Sequence, residues 1–176
     1  MRNHPFLWSL MAVLLAVVLA AGLLVGVGGG EQAAAKEPRA TVGKIMIPAS
    51  AFIPTTDNWD YSNSGYYLTT IGGSGNFSAP LVFPVPVVRI RKITLYAYDN
   101  TAGGNICATL FRSQPLTDDE ATAGGVCTSD NATDPQVVGT TGIDPRRVNT
   151  AVHGPYLWVT IDPNTDFYGV QVVYSY

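Results

Sequence analysis

The stretch 87–99, VVRIRKITLYAYD, constrains the fold more than any other part of the chain. Val88 and Ile90, then Ile93, Leu95 and Ala97, are apolar at every second position, with Arg89 and Arg91 flanking Ile90. That period of two puts alternate side chains on opposite faces of an extended strand, one face dry and one wet. The phase slips around Arg91-Lys92, which predicts a β-bulge or a bend between two sheets. A strand with one dry face needs a second layer to cover it.

The rest of the body supplies strands and no helical period. After Pro38 the readable strands are 44–47, ended by Pro48; 66–71, ended by the turn set 72–76; 106–112, expected to pair with 87–99; then 125–128, 136–140, 156–161 and 167–176. Residues 81–83, ahead of Pro84 and Pro86, read as an edge or kinked passage. The turn set 162–166, Asp-Pro-Asn-Thr-Asp, predicts a terminal antiparallel hairpin between the last two strands. Eighteen Gly and 12 Pro suit so many turns. Eight or nine strands predict an all-β, jelly-roll-like antiparallel β-sandwich. Its core should draw on Ile90, Ile93, Leu95, Ala97, Ala108, Leu110, Leu157, Val159, Val170 and Val172. No fixed internal repeat argues for a solenoid or propeller. An immunoglobulin-type pattern is disfavoured because no Trp lies between the two Cys.

The N-terminus reads as an address. Arg2 is followed by an uncharged run from Phe6 to Gly30, then Glu31 and Ala33-Ala34-Ala35. A basic start, an apolar stretch and small residues at the end describe a secretory signal peptide over 1–35, cut after Ala35. The run is also long enough to cross a bilayer, so an uncleaved N-terminal anchor is the rival, and the membrane enters only through this segment. Gly28 to Gly30 weaken a helix there, which favours cleavage. A short linker, 36–43, then leads into a sandwich domain over 44–176. Either way the body is exported, to the periplasm, the cell surface or the medium. Removing Arg2 and Glu31 from the 10 basic and 13 acidic residues leaves 9 and 12, a net charge of -3 in both cases. So little positive charge excludes a nucleic-acid binder, which must neutralise a run of phosphates.

Cys107 and Cys127 are the two cysteines, and in an oxidising compartment they predict one disulfide closing a hairpin-like excursion. They lack the C-x-x-C spacing of a redox pair.

The strings IPASAFIP (47–54), SAPLVFPVPVVRIRKITLYAYDN (78–100), CATLFR (107–112) and YGVQVVYSY (168–176) resemble a loose group of uncharacterised exported bacterial proteins. That group carries an early IPA-x-x-F-P segment, an AP-x-x-x-P entry to a long strand ending Tyr-x-Tyr-Asp-Asn, and a closing strand ending in Tyr. The resemblance implies an exported jelly-roll-like domain and carries over no catalytic residues. Pro84-Val85-Pro86 stands where the group has Pro-x-Gly-Ala, so the turn entering the long strand differs.

Motifs for chemistry are mostly absent. His153, the one His after the leader, sits in a Gly-Pro loop with no nucleophile elbow anywhere in the chain. The phosphate-loop lookalike 73–78 is followed by Ala79-Pro80 and reads as a turn. Asp60 to Gly65 begins like a calcium loop but has Leu68 and Ile71 where later ligands belong. Looser candidate calcium sites are Asp57, Asn58 and Asp60, or Asp118, Asp119 and Glu120; no other cofactor is expected. Trp59, Tyr61, Tyr66 and Tyr67 lie in one polar stretch and are the candidate ligand-binding residues, because flat rings beside Asn and Asp suit sugars. Asn76 and Asn131 open N-glycosylation sequons.

Three readings follow. The first is a non-catalytic structural or interaction domain at the cell exterior, self-associating through the closing strand 169–174 or through 45–47. The second is a carbohydrate-binding module using the aromatic stretch. The third is an exported hydrolase with Asp57 and Asp60, or Asp118 and Glu120, as acid and base.

Overall fold

In the computed structural model, which describes residues 40–176 except 116, 118, 130 and 131, the constraining stretch becomes β6 (Val87–Tyr98). The leader 1–35 and the first residues of the linker lie outside the described residues. The other strands are β1 (Val42–Pro48), β2 (Ile53–Pro54), β3 (Tyr61–Asn63), β4 (Leu68–Thr70), β5 (Gly75–Pro80), β7 (Ile106–Gln114), β8 (Asp119–Cys127), β9 (Gln136–Thr140), β10 (Arg147–Asn149), β11 (Gly154–Ile161) and β12 (Asp166–Ser175). These form two antiparallel sheets in a jelly-roll-like sandwich, with short strands raising the expected eight or nine to twelve.

The long strands β6 and β12 are the middle of the seven-stranded sheet. On the far edge of β6, β10 pairs with residues 87–89 and β9 with 93–97. On the far edge of β12, β1 covers residues 169–175 and β4 meets Phe167, with β3 beyond β4. The five-stranded sheet runs β2-β5-β11-β7-β8.

All ten residues expected in the core are buried. Phe52 meets Phe167 edge-to-face at 4.8 Å, and Phe83 meets Tyr174 likewise at 5.0 Å. The expected irregularity at Arg91 is a bulge: Lys92 opposes Val173 and Ile90 opposes Tyr174, so Arg91 is the extra residue. A second bulge falls between Phe167 and Gly169. Gly169 has φ +146°, and a Cβ there would lie 2.5 Å from the Ile47 carbonyl oxygen. Only glycine fits both that dihedral and that approach.

Four sequence expectations need correction. β7 does not pair with β6; it lies in the other sheet, between β8 and β11. β11 and β12 do not form a hairpin, since one belongs to each sheet and residues 162–165 arch between the layers. The arch is held by Asp162, which accepts hydrogen bonds from the Asn105 N–H (2.8 Å) and the Ser74 hydroxyl, while the Thr165 hydroxyl donates to the Asp162 carbonyl. Strand β5 begins at Gly75, inside the expected turn, because Gly75, Phe77 and Ala79 alternate inward; residues 81–83 form no strand. Finally, the closing strand is interior to its sheet, covered by β1, so it offers no free edge over 169–174.

Cys107 and Cys127 form the expected disulfide and sit directly opposite each other across β7 and β8, with Cα atoms 4.0 Å apart. Replacing both with serine opens the hairpin in the unfolded chain and should cost about 3 kcal/mol by chain entropy; urea unfolding of the variant against the parent checks this. Gly169→Ala should cost about 1–3 kcal/mol through a strained dihedral and a clash with backbone that cannot swing away. A thermal midpoint equal to the parent's would refute that reading.

Candidate functional site

Alternation along each strand sends half of its residues outward, and these outward positions carry the chemistry. On β11, Pro155, Leu157, Val159 and Ile161 face the core, so Tyr156, Trp158 and Thr160 face out. Register places Tyr156 opposite Phe111 of β7, and Thr160 opposite Asn76 of β5. Phe111 and Tyr156 stack at 5.3 Å with planes 12° apart, and Trp158 meets Phe111 edge-on at 6.4 Å. Three half-buried rings thus stand together on the outer face of the five-stranded sheet.

Hydrogen bonds lock this group. The Asn76 Oδ1 accepts from Trp158 Nε1 (3.3 Å) and from the Thr160 hydroxyl (2.8 Å). The Tyr156 hydroxyl donates to a Glu120 carboxylate oxygen of β8. The disulfide rests in the same sheet, with Cys107 opposite Thr160. Chemically, the face offers apolar ring surface beside amide and hydroxyl groups.

The outer face of the seven-stranded sheet is aromatic too. Tyr96 and Tyr98 of β6 point out on either side of buried Ala97, and Tyr168 of β12 meets Tyr67 edge-to-face at 6.4 Å. Burial, then the nearby Asp166, Tyr67 and Tyr98, push the Tyr168 phenol up from its ordinary value. Burial alone pushes the Asp166 carboxyl up.

The four aromatic residues singled out in the sequence do not share one face. Trp59 is half-buried, and its indole N–H is buried without a partner among the described residues. Tyr61 packs edge-on against core Phe77 at 5.3 Å. Tyr66 is 84% exposed at a turn held by Ser64, and Tyr67 joins the tyrosine face. The rings sequence reasoning missed, Phe111, Tyr156 and Trp158, carried a readable signal: all three lie on strands already identified, and Tyr156 and Trp158 alternate with inward Pro155, Leu157 and Val159.

The candidate calcium ligands fare differently. Asp57, Asn58 and Asp60 are exposed before β3, Asp119 and Glu120 are exposed on β8, and Asp118 lies outside the described residues. Among the described residues no three His, Cys, Asp or Glu side chains converge as a metal site. The Asn63 carboxamide instead accepts from the Gly65 N–H in a local turn. The hydrolase acids Asp57 and Asp60 precede β3, whereas Glu120 belongs to the aromatic face. His153 has its Nδ1 3.3 Å from the Asn149 carbonyl oxygen. Of the two sequon asparagines, Asn76 is the buttress of Trp158, and Asn131 lies outside the described residues.

No family model matches the chain, and no curated protein matches it in sequence. Solved structures are similar in fold. The C-terminal family 6 carbohydrate-binding module of the laminarinase LamC from Zobellia galactanivorans is 12% identical, covers 74% of this chain and 98% of its own, with a TM-score of 0.45. A carbohydrate-binding module of Cellvibrio mixtus lichenase 5A, in complex with cellotriose, is 9% identical over 73% of this chain and 95% of its own, at 0.41. The VP2 subviral particle of infectious bursal disease virus is 13% identical over 78% of this chain and 32% of its own, at 0.35.

Because the folded Asp166 carboxyl titrates above its ordinary 3.8, its ionisation opposes folding. The associated stability is full below pH 3.8 and fades as pH rises through the folded value. Asp166→Asn should therefore be slightly more stable than the parent at neutral pH, with the gap closing toward pH 3.8. Urea midpoints at matched pH values measure it; a gap constant with pH would contradict the reading.

Proposed function

We propose that this chain is an exported, non-catalytic β-sandwich module that binds a glycan chain across the outer face of its five-stranded sheet. The observation that carries the reading is the locked set Phe111, Tyr156 and Trp158, with Trp158 and Thr160 both anchored on Asn76. Pyranose rings present apolar C–H faces rimmed by hydroxyls, so they match aromatic faces set beside Asn76, Ser78, Thr109 and Thr160. Rings already held in place lose little rotamer freedom on binding. An open sheet face suits an extended polysaccharide lying across the strands. The disulfide supports export, because such bonds persist in oxidising compartments.

A glycan array followed by titration tests it. Binding of at least one neutral polysaccharide is expected, weakened about tenfold or more by Trp158→Ala, since a central aromatic anchor is worth about 2 kcal/mol. Loss on Tyr168→Ala with Trp158→Ala unaffected would move the site to the tyrosine face. No binding to any glycan removes the reading.

Self-association through β1 is the second reading. Among the described residues β1 pairs with β12 alone, and Val42 and Met46 are 60% and 49% exposed. A concentration-dependent dimer in sedimentation, abolished by proline at Lys44, would favour it.

A further inference from the structure

We infer that the β6/β10 end of the seven-stranded sheet is a binding site for an oxyanion, built from Arg89, Arg91, Arg146 and Arg147. It is separate from the glycan face and independent of that reading. The described residues hold seven cations in all, Lys44, Arg89, Arg91, Lys92, Arg112, Arg146 and Arg147, and four of them line one region. Two adjoining cavities, about 500 and 690 Å³, share Arg89, Arg146 and Arg147 as walls.

Arg89 and Arg147 are direct cross-strand partners. Like charges placed so are destabilising, and a bound anion between them converts repulsion into two attractive contacts. The flanking arginines are held in place. Arg91, pushed out by the bulge, donates from Nε to the Ser175 hydroxyl at 2.8 Å. Arg146 donates from Nε to the Ile143 carbonyl at 3.3 Å and from Nη2 to the Thr141 carbonyl at 3.2 Å. These partners are a hydroxyl and two carbonyl oxygens, which leave the guanidinium charge itself uncompensated at those bonds. Asp144 is exposed on the wall of the larger cavity, and Ser175 and Tyr176 line the smaller one.

The residue type points to the ligand. Guanidinium groups present planar forks that fit phosphate, sulfate and carboxylate two bonds at a time, whereas lysines act as point charges. A compact patch on a chain of net charge -3 suits one or two oxyanion groups and not a long polyanion.

Calorimetric titration and thermal unfolding of the purified protein test this with three probes: inorganic phosphate, sulfate and trigalacturonate. Each is compared with sodium chloride at equal ionic strength. At least one probe should bind and raise the midpoint beyond the chloride control. Response to phosphate or sulfate alone assigns a tetrahedral anion; response to trigalacturonate alone assigns a uronate. Arg89→Gln with Arg147→Gln should weaken binding about tenfold or more, as lost charge-assisted bonds would. Should that pair unfold the chain, Arg147→Lys keeps the charge, loses the fork, and should still weaken binding. No response to any probe beyond chloride, or unchanged affinity in the folded variants, overturns the inference.

Discussion

The whole molecule depends on the apolar contact between the inward faces of two strand pairs, β6 with β12 and β7 with β11. Ile93, Leu95, Val170 and Val172 from one sheet and Ala108, Leu110, Leu157 and Val159 from the other are buried almost completely. Each such aliphatic side chain contributes about 1.5–3 kcal/mol when removed from water. Since pleating forces every second residue outward, burying this set also dictates what faces solvent. Tyr96, Trp158 and Tyr168 are outside because their neighbours are inside, and Phe111 because Leu110 before it is. The surface chemistry is thus a consequence of core register: a slip of one residue would bury the polar set and expose the core.

Closing such a sandwich requires the chain to leave one sheet and enter the other, and polar groups accomplish that where apolar packing cannot. At the end of β6, the buried Asp99 carboxylate accepts from the Thr101 N–H, the Thr101 hydroxyl and the Thr128 hydroxyl. Thr128 in turn accepts from the Ile106 N–H as the other sheet begins. Asp162 does the same work under the arch to β12. A buried carboxylate such as that of Asp99 is tolerable only when so satisfied, and it ties loops from both layers to one point.

Most of the long strands were legible; which strands are neighbours was not. Alternation in 156–161 and 167–176 reads identically whether the two form a hairpin or face each other across the core, because both arrangements send the same residues inward. The turn set between them cannot decide either, as five residues suit a hairpin or an arch. Pairing is set by which faces fill the interior, a property of the whole assembly. Strand β5 was hidden for a different reason: Gly75, Asn76 and Ser78 are turn formers by composition, and their extended state is imposed by Phe77 and Ala79 packing inward. The aromatic face follows the same logic. Clustering along the chain drew attention to residues 59–67, yet rings from β7 and β11 meet through register, at a separation no local window spans.

Charge shows how far a global count can mislead about a local surface. A net charge of -3 over 176 residues gives no hint of a basic surface. It conceals that the bulge at Arg91 breaks alternation and leaves Arg91 and Lys92 exposed in succession, beside Arg89 on the same strand. Strand β10 then brings Arg147 into register with Arg89 from more than fifty positions away. Concentrating like charge costs stability in an unliganded sheet, and no packing requirement of β6 or β10 calls for it, since Val88, Ile90 and Val148 already fill the inward positions. The outward positions were free to be anything soluble. Four guanidinium groups at one end of a sheet are therefore best understood through what they would hold.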